Sequence, residues 1–258
     1  MWKVTRIVIL LFLLAKAVQI TLLEQSNLEW KKGYYVVLYP VNADGSKEVN
    51  AYIKTLKPEI FEAIPDYFSS QAAQYALPTK RPIEVMLGDV ITEVPPAPPK
   101  NGSIFEVIWW SLQFRIFAWT HAPETKIKPD IRLYLLYHNP ETHDVLSHST
   151  ALSKGMVGRV NLFGDRSYHQ QNMVIIAHEL LHTVNATDKY SLGSNMPAFP
   201  EGYAEPDKKP RYPQKMAELM GGRIPVSETD VEIPETLADT LIGKRTAEEI
   251  GWRKIQAQ

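Results

Sequence analysis

Two histidines, His178 and His182, stand four residues apart in an almost wholly apolar run, and Glu179 follows the first of them. The apolar composition and a capping-box signature just upstream, Ser167 followed by Gln170, predict a helix here. Residues four apart lie on one face of a helix, so both imidazoles can reach one metal ion beside it. The carboxylate of Glu179 can then accept a proton from a metal-activated water. The spacing predicts a catalytic metal site with two histidine ligands and a glutamate as general base.

The composition limits which ligands and partners are available to the chain. Its 258 residues are 45% hydrophobic and 22% charged, which is typical of one large or two small globular domains. There is no cysteine, so any metal must be bound by His, Asp or Glu. The net charge is −1 and no basic block is present, which argues against nucleic acid as a partner.

The first residues indicate export from the cytoplasm. Lys3 and Arg6 precede the uninterrupted apolar run Ile7–Ala15, which matches the core of a secretory signal peptide. The small residues on either side of Lys16 offer a cleavage site. Alternatively, the apolar segment continues to Leu23 and forms a short membrane-spanning anchor, an N-terminal hydrophobic helix.

Both alternatives place the two leading cations in the cytoplasm and the remaining chain outside, because positive charge beside the first apolar segment sets its orientation. A buried core helix is a third interpretation, although a terminal run led by cations is not typical of a core. We therefore predict a signal peptide or membrane anchor over residues 1–23 and a catalytic domain over residues 30–258. The expected location is extracytoplasmic, either periplasmic or secreted, with membrane anchoring if the first segment is not cleaved.

Turn residues divide the chain into strands and helices. Runs of β-branched and aromatic residues, bounded by Pro, Gly or Asn, predict four strands at Tyr34–Tyr39, Ile83–Ile91, Ile131–Tyr137 and Met156–Phe163. Ser46 and Pro58 are suited to begin two helices between the first two strands. Short helices are expected to close the domain after Pro225. The pattern predicts an α+β or α/β architecture in which a mixed, twisted sheet packs on helices.

The segment 103–120 carries a wide apolar stripe at helical spacing, which includes the pair Trp109 and Trp110. Such a stripe is typical of a helix buried in the core, and this is the interpretation we favour. A helix that lies on a membrane surface is the alternative, because tryptophan is also typical of that environment.

A third protein ligand is expected, because catalytic zinc typically has three and leaves one position for water. The chain resembles the metzincin peptidases, whose pattern is His-Glu-x-x-His-x-x-Gly-x-x-His or Asp. Here the motif continues from His182 to Asn185 and Asp188 at the same spacing. The resemblance implies Zn²⁺ as cofactor, a zincin-like fold with an active-site helix, and Asp188 as the third ligand. Asn185 replaces the family's glycine, and asparagine is the residue that best tolerates the left-handed conformation of such a turn.

The stretch Thr187–Tyr190 is also similar to the aspzincins, a neighbouring group that uses an aspartate as third ligand. Glu205 and Glu218 are alternative third ligands, because a gluzincin arrangement takes a glutamate from a later helix. Metzincins also carry a methionine in a turn beneath the metal, and the resemblance implies Met220 for this position.

The strand just before the active helix is a candidate for substrate binding. In zincins an edge strand pairs with extended peptide through main-chain hydrogen bonds. The residues predicted for this role are Val157, Gly158, Arg159, Val160, Asn161 and Leu162. A tyrosine beside zinc can donate a hydrogen bond to the oxyanion of the tetrahedral intermediate, and the candidates are Tyr190, Tyr203 and Tyr212.

These observations predict a zinc-dependent peptidase that hydrolyses peptide or protein substrates with Glu179 as general base. A non-catalytic metal-binding or sensing protein on the same scaffold is the alternative, although the intact glutamate argues against it. A metal-free structural domain with two buried histidines is the third interpretation.

Overall fold

The computed structural model describes Arg6 and residues 30–254, except residues 124, 126 and 192. The predicted signal peptide or anchor, residues 1–23, lies outside the described residues apart from Arg6. Among the helices of this described part, none combines the length and apolarity that crossing a bilayer requires.

Five strands form one mixed sheet. They are β1 (Tyr34–Asn42), β2 (Ile83–Leu87), β3 (Ile131–His138), β4 (Thr150–Leu152) and β5 (Val157–Phe163). Their order across the sheet is β2-β1-β3-β5-β4, and only the pair β4–β5 is antiparallel. The four predicted strands are present because β-branched and aromatic residues suit a pleated, buried surface. The short strand β4 was not predicted.

Helices cover both faces of this sheet. They are α1 (Lys47–Ile53), α2 (Ala63–Gln74), α3 (Ile104–Thr120), α4 (His169–Thr183) and α5 (Lys244–Glu249). The larger buried cluster joins α1, α2, α4 and α5 to Val36 and Leu38, whereas α3 packs with Val37 and Tyr39. Successive strand residues point to opposite faces, so α3 lies on the face opposite the other helices.

Local signals place the first helices where the sequence predicts them. The Ser46 hydroxyl accepts a hydrogen bond from the N–H of Val49 at 3.3 Å and so caps α1. Pro58 begins the 3₁₀ helix Pro58–Phe61, which leads into α2.

Most of α3 is not the core helix that its apolar stripe predicts. Only Trp110, Phe114 and Ala118 on this helix are buried. Phe117 is partly buried against the same cluster. The remaining large apolar side chains of the helix are exposed, namely Ile104, Phe105, Val107, Ile108, Trp109, Leu112, Ile116 and Trp119. A helix on a sheet buries one stripe, and here apolar residues also occupy the remaining faces. The core prediction is therefore right for one face of α3 and wrong for the rest.

The prediction that Val157–Leu162 forms the edge of the sheet is wrong. β3 pairs with β5 along one side, and β4 pairs with Val157, Gly158 and Arg159 on the other, so these three residues have neighbours on both sides. Val160, Asn161 and Leu162 pair with β3 on one side only. On their other side the N–H of Asn161 donates to the hydroxyl of Ser149 at 2.9 Å. The edge strands of the sheet are β2 and β4, and β4 is the edge beside β5.

After α4 the described chain forms short strands and two short helices, the 3₁₀ helix Leu237–Asp239 and α5, and both helices follow Pro225 as predicted. The strands are β6 (Ala217–Glu218), β7 (Ile224–Pro225), β8 (Val231–Glu232) and β9 (Thr240–Leu241). The indole N–H of Trp30 donates to the carbonyl of Ile250 at 2.6 Å, and its ring packs on Trp252. This contact ties the start of the domain to the end of the region after α4.

Candidate metal centre

The helix that carries both histidines begins after an aspartate cap and not at the predicted capping box. The carboxylate of Asp165 accepts hydrogen bonds from the N–H and the hydroxyl of Ser167, at 2.8 and 2.6 Å. Asp165 therefore caps the 3₁₀ helix Arg166–Tyr168, and α4 continues from it. The hydroxyl of Ser167 is a donor to this cap.

The end of α4 turns the chain back towards the histidines. Asn185 adopts a φ of 77°, the left-handed conformation expected where metzincins have glycine. Its N–H donates to the carbonyl of His182, and the N–H of Ala186 donates to the carbonyl of Leu181 at 3.0 Å. This pair of hydrogen bonds is a Schellman motif, which ends the helix. The residues after the turn thereby return to the side of α4 that carries His178 and His182.

Three side-chain atoms converge beside the end of α4. The Nε2 atoms of His178 and His182 lie 3.1 Å apart, and Oδ1 of Asp188 lies 3.1 Å from each of them. A tetrahedral zinc ion with bonds of about 2.0–2.1 Å places its ligand atoms roughly 3.3 Å apart. The three atoms therefore have nearly the separation that one ion requires.

Hydrogen bonds to the other ring nitrogens orient both imidazoles. Nδ1 of His178 donates to the carbonyl of Leu219, and Nδ1 of His182 donates to the carbonyl of Ala186, each at 2.9 Å. A carbonyl oxygen only accepts, so both Nδ1 atoms carry the proton and the Nε2 atoms of the neutral rings present lone pairs. In this tautomer two nitrogen lone pairs and a carboxylate oxygen face one another. A divalent cation fits this arrangement.

The charges around Asp188 also favour a cation. Burial acts to raise the pKa of Asp188, but its contacts with the rings of His178 and His182 hold that pKa well below its ordinary value. Burial acts to lower the pKa of His178, while the contact with Asp188 and the charge of Glu179 raise it overall. The cluster therefore stabilises added positive charge at its centre.

Glu179 is buried beside the same histidines. One of its carboxylate oxygens lies within 4.8 Å of a ring nitrogen of each histidine. Its Oε2 atom is buried and has no hydrogen-bond partner among the described residues. Burial raises the pKa of Glu179, although the two neighbouring histidines act to lower it. Such a carboxylate is suited to accept a proton.

A buried ion pair holds the residues on both sides of Asp188. The carboxylate of Glu249 accepts hydrogen bonds from the N–H of Thr187 at 2.9 Å and from Nζ of Lys189 at 2.7 Å. The side chain of Lys189 is only 4% exposed. The sequence analysis did not identify Glu249, because it lies far along the chain and belongs to no local motif. It is a positioning residue for the third candidate ligand.

Met220, the candidate for the methionine turn, lies in a buried turn next to the two histidines. The preceding carbonyl, that of Leu219, is the acceptor for His178, and the carbonyl of Met220 accepts from the N–H of Lys189 at 2.8 Å. Gly222 adopts a φ of 69°, so the turn needs a residue that tolerates the left-handed conformation.

The two alternative third ligands are engaged elsewhere. Glu218 is fully buried, and its carboxylate accepts hydrogen bonds from the N–H groups of Gly221 and Gly243 at 2.9 Å and from the hydroxyl of Thr246 at 2.7 Å. Glu205 lies 3.6 Å from Nζ of Lys208. Glu218 therefore joins the turn after Met220 to the start of α5.

Of the three tyrosine candidates, Tyr190 lies at the site. Its ring centroid is 6.3 Å from that of His178, and its hydroxyl interacts with Asp188. Burial and, to a smaller extent, the charge of Asp188 raise the pKa of Tyr190 to about 12. The hydroxyls of Tyr203 and Tyr212 instead lie 3.0 Å from each other.

His178 and Glu179 line a cleft of about 420 Å³. Its walls are α4, the segment 145–149 and the turn from Leu219 to Arg223. Asn161, one of the residues predicted to bind substrate, lines the cleft, and its side-chain amide donates to the carbonyls of Ser147 and His148, each at 3.1 Å. The volume is sufficient for the side chains of a bound substrate.

Comparison of the chain with models of known protein families finds no match, and comparison with curated protein sequences finds none either. The assignment of the site therefore depends on its own geometry and on the motif.

Proposed function

We propose that this chain is a zinc-dependent peptidase in which His178, His182 and Asp188 bind the ion and Glu179 is the general base. The observation that carries this proposal is the convergence of two Nε2 atoms and one carboxylate oxygen at 3.1 Å. Two imidazoles and a carboxylate form a ligand set that catalytic zinc uses, with one position left for water. The buried, unpartnered oxygen of Glu179 supports the same function.

The proposed mechanism assigns each residue a separate task. When bound, Zn²⁺ supplies Lewis-acid activation of a water molecule and of the scissile carbonyl. Glu179 accepts the proton of the attacking water and delivers it to the nitrogen of the leaving amine. The carbonyls of Leu219 and Ala186 hold the protons of the two imidazoles on Nδ1, which keeps both Nε2 atoms available.

Tyr190 is the proposed donor to the oxyanion. Because its pKa is raised to about 12, the phenol keeps its proton at neutral pH and can donate a hydrogen bond. A donor aimed at the developing negative charge stabilises the transition state more than the substrate.

The shape of the cleft supports an extended peptide as substrate. The segment 145–149 forms one wall and leads directly into β4, whose outer side has no neighbouring strand in the described part of the chain. An extended peptide can add to such an edge through main-chain hydrogen bonds. In this proposal β4 and the segment 145–149 take the role that the sequence analysis gave to Val157–Leu162.

The resemblance to the metzincins supports a finer assignment. The spacing of His178, His182 and Asp188, the left-handed Asn185 and the buried Met220 agree with a metzincin-like peptidase on a zincin scaffold. We extend the proposal to the location of the enzyme on the basis of the cation-led apolar run Ile7–Ala15. The catalytic domain would then act outside the cytoplasm, released or anchored by its first residues.

Metal content and peptide cleavage of the wild type and Glu179→Gln test the proposal. The wild type loaded with Zn²⁺ is expected to cleave members of a mixed peptide library, with products identified by mass spectrometry. Glu179→Gln should bind zinc at this site as the wild type does, while the rate falls by about 10²–10⁴-fold. Glu205→Gln is a matched control and should cleave at the wild-type rate.

Two outcomes would contradict the proposal. Cleavage by Glu179→Gln at the wild-type rate would remove the role of the glutamate. Zinc bound by His178 and His182 without any peptide cleavage by the wild type would favour the non-catalytic metal-binding alternative.

A further inference from the structure

A second group of metal-binding side chains lies at the carboxyl ends of β1 and β3. Asp44 follows β1, His138 is the last residue of β3, and His143 lies in the loop 139–149 that leads to β4. One potential ligand atom from each lies within 4.8 Å of the other two. The two imidazole centroids are 5.2 Å apart.

The hydrogen bonds around Asn161 determine which nitrogen of His138 carries its proton. The amide nitrogen of Asn161 donates to the carbonyls of Ser147 and His148, so its Oδ1 faces Nε2 of His138 at 3.2 Å. Oδ1 only accepts, and Nε2 must therefore be the protonated nitrogen. Nδ1 of His138 then presents a lone pair, and this atom is buried without a hydrogen-bond partner among the described residues. Burial lowers the pKa of His138, which favours the neutral ring.

Backbone donors fix the carboxylate of Asp44. Its oxygens accept hydrogen bonds from the N–H of Ser46 at 2.9 Å and from the N–H of Asn139 at 2.6 Å. Each carboxylate oxygen has a second lone pair available for a cation. The ring of His143 lies beside it, with Nδ1 3.9 Å from the Asp44 carboxylate. The same Nδ1 lies 3.3 Å from the carbonyl of Asn139 and 3.0 Å from the hydroxyl of Thr142, contacts that the ring would exchange for an ion.

We propose that Asp44, His138 and His143 form a second metal site, which takes a transition-metal ion of the Zn²⁺ type and anchors the loop 139–149. Two imidazoles and one carboxylate suit such an ion, whereas Ca²⁺ and Mg²⁺ prefer oxygen ligands. The ligand atoms must close from as much as 4.8 Å to about 3.3 Å. His143 is 38% exposed in its loop and can supply this movement. An ion would provide the partner that the buried Nδ1 of His138 lacks.

This site is connected to the cleft through one side chain. Asn161 orients His138 with its oxygen and holds the carbonyls of Ser147 and His148 with its nitrogen. The latter two residues line the cleft. An ion bound at the second site is therefore expected to order the cleft wall formed by the segment 145–149.

Metal stoichiometry tests this inference independently of peptidase activity. Purified protein is stripped with a chelator, titrated with Zn²⁺, and its tightly bound metal is measured by elemental mass spectrometry. Two equivalents are expected for the wild type and one for His143→Gln. A variant without the first site, His178→Ala with His182→Ala, should keep one equivalent. His121→Gln is a matched control, because His121 pairs with only one carboxylate, that of Glu93, and belongs to neither of the two candidate metal sites.

Hydrogen exchange of the loop gives a second measurement. Zn²⁺ should slow amide exchange across residues 139–149 in the wild type and in the variant that lacks His178 and His182, but not in His143→Gln. The inference is overturned if His143→Gln binds as many zinc ions as the wild type, or if zinc leaves exchange of the loop unchanged. If the wild type instead bound zinc only at the second site, so that removing His178 and His182 did not change its zinc content, the proposed function would be contradicted and this inference would stand. The two failures are therefore distinguishable.

The exposed apolar residues of α3 support a second, independent inference. Phe105 and Trp119 at the two ends of the helix are 83% and 82% exposed, and Trp109 between them is 61% exposed. Val94 and Ile127, in the segments before and after α3, are also exposed apolar residues. An apolar patch of this size is unusual for a protein surface in water and marks a binding surface.

We infer that the partner of α3 is the surface of a lipid bilayer. The same chain carries the apolar run Ile7–Ala15 behind Lys3 and Arg6, a composition that brings it to a membrane. Trp109 and Trp119 suit the boundary between headgroups and acyl chains, and exposed Lys100 and Lys128 flank the helix, where they can reach lipid phosphates.

The arrangement of the fold is compatible with this orientation. α3 covers the sheet face opposite α4, so a bilayer bound to α3 leaves the cleft beside α4 in water. A helix of 17 residues is about 25 Å long and would lie in the plane of the surface.

The absence of native cysteine permits single-site labelling of the full chain. Ile108→Cys and Trp119→Cys carry a polarity-sensitive fluorophore, and Lys57→Cys on the opposite sheet face is the control. On vesicles of phosphatidylcholine and phosphatidylglycerol, the labels at 108 and 119 should shift to the blue and be quenched by brominated lipid. The label at 57 should not change.

Three results would overturn this inference. Labels at 108 and 119 that stay water-exposed on membrane-bound protein would exclude a lipid contact. A blue shift without lipid that depends on protein concentration would identify a second copy of the chain as the partner. The same shift without concentration dependence would identify the chain's own first residues.

Discussion

The backbone carbonyl of Leu219 accepts a hydrogen bond from Nδ1 of His178 at 2.9 Å, across 41 residues of sequence. This contact links the first histidine of α4 to the turn that contains Met220. The orientation of a proposed metal ligand thus depends on a turn that supplies no proposed ligand itself. Outer-shell contacts of this type fix the tautomer and the direction of the ligating nitrogen.

We expect Met220→Ala to loosen this turn. Met220 is fully buried, so truncation should lower the free energy of unfolding by about 2–5 kcal/mol and weaken zinc binding by about 10-fold. Met220→Leu nearly conserves the volume and should cost less than about 1.5 kcal/mol. Urea denaturation and zinc titration measure the two effects. An alanine variant that is destabilised but binds zinc as tightly as the wild type would show that the turn does not orient His178.

Asp188 and Glu218 are expected to respond differently to removal. Loss of an outer-shell partner weakens metal binding by about 10–100-fold. Asp188→Ala should weaken zinc binding by more than this, because it removes a proposed direct ligand. Glu218→Ala leaves three donors buried without their acceptor, so it should lower stability by about 3 kcal/mol or more. Zinc titration and urea denaturation of both variants separate the roles. Loss of zinc from Glu218→Ala at a temperature where it remains folded would reverse the assignment.

Tyr190→Phe tests the proposed oxyanion donor. Because the phenol also contacts Asp188, the variant should bind zinc somewhat less tightly and is assayed at saturating Zn²⁺. It should then lose about 10²-fold in kcat with little change in KM, because the hydrogen bond to the oxyanion forms chiefly in the transition state. Tyr203→Phe is the control, since its hydroxyl contacts that of Tyr212. Steady-state kinetics on one cleaved peptide provide the measurement. Equal kcat values for Tyr190→Phe and the wild type would exclude this role.

The features that the sequence predicted well depend on local patterns. The two histidines share a face of α4 because residues four apart always do so, and Asn185 adopts the left-handed conformation because it follows the helix end. Ser46 caps α1 through its own side chain. In each case the relevant atoms are separated by only a few residues.

The features that it missed depend on contacts between distant segments. The edge of the sheet beside β5 is β4, a strand of three residues whose pairing with β5 no local pattern indicates. Glu249 reaches Lys189 across 60 residues. The apolar stripe on α3 predicts a helix with apolar faces, but it does not determine whether the protein core or something outside the protein covers them. Local periodicity determines the element, whereas the tertiary arrangement determines its neighbours.

The ion pair of Glu249 and Lys189 should make stability depend on pH. Burial acts to raise the pKa of Glu249, but hydrogen bonds from Lys189 and Thr187 lower it overall. A carboxyl group with a lowered pKa in the folded state stabilises the protein above its unfolded pKa of about 4.3, and this contribution is lost as the pH falls through the folded value.

Glu249→Gln should therefore be less stable than the wild type at neutral pH, and the difference should shrink as the pH falls below about 4.3. The chelated, metal-free proteins are compared by urea denaturation at a series of pH values, which isolates the carboxylate from effects of bound zinc. Glu201→Gln is the control, because the carboxylate of Glu201 also lies near α5, beside Arg245, but is more exposed than that of Glu249. A stability difference that stays constant from neutral to acidic pH would contradict a role for the charge of Glu249 in holding the segment of Asp188.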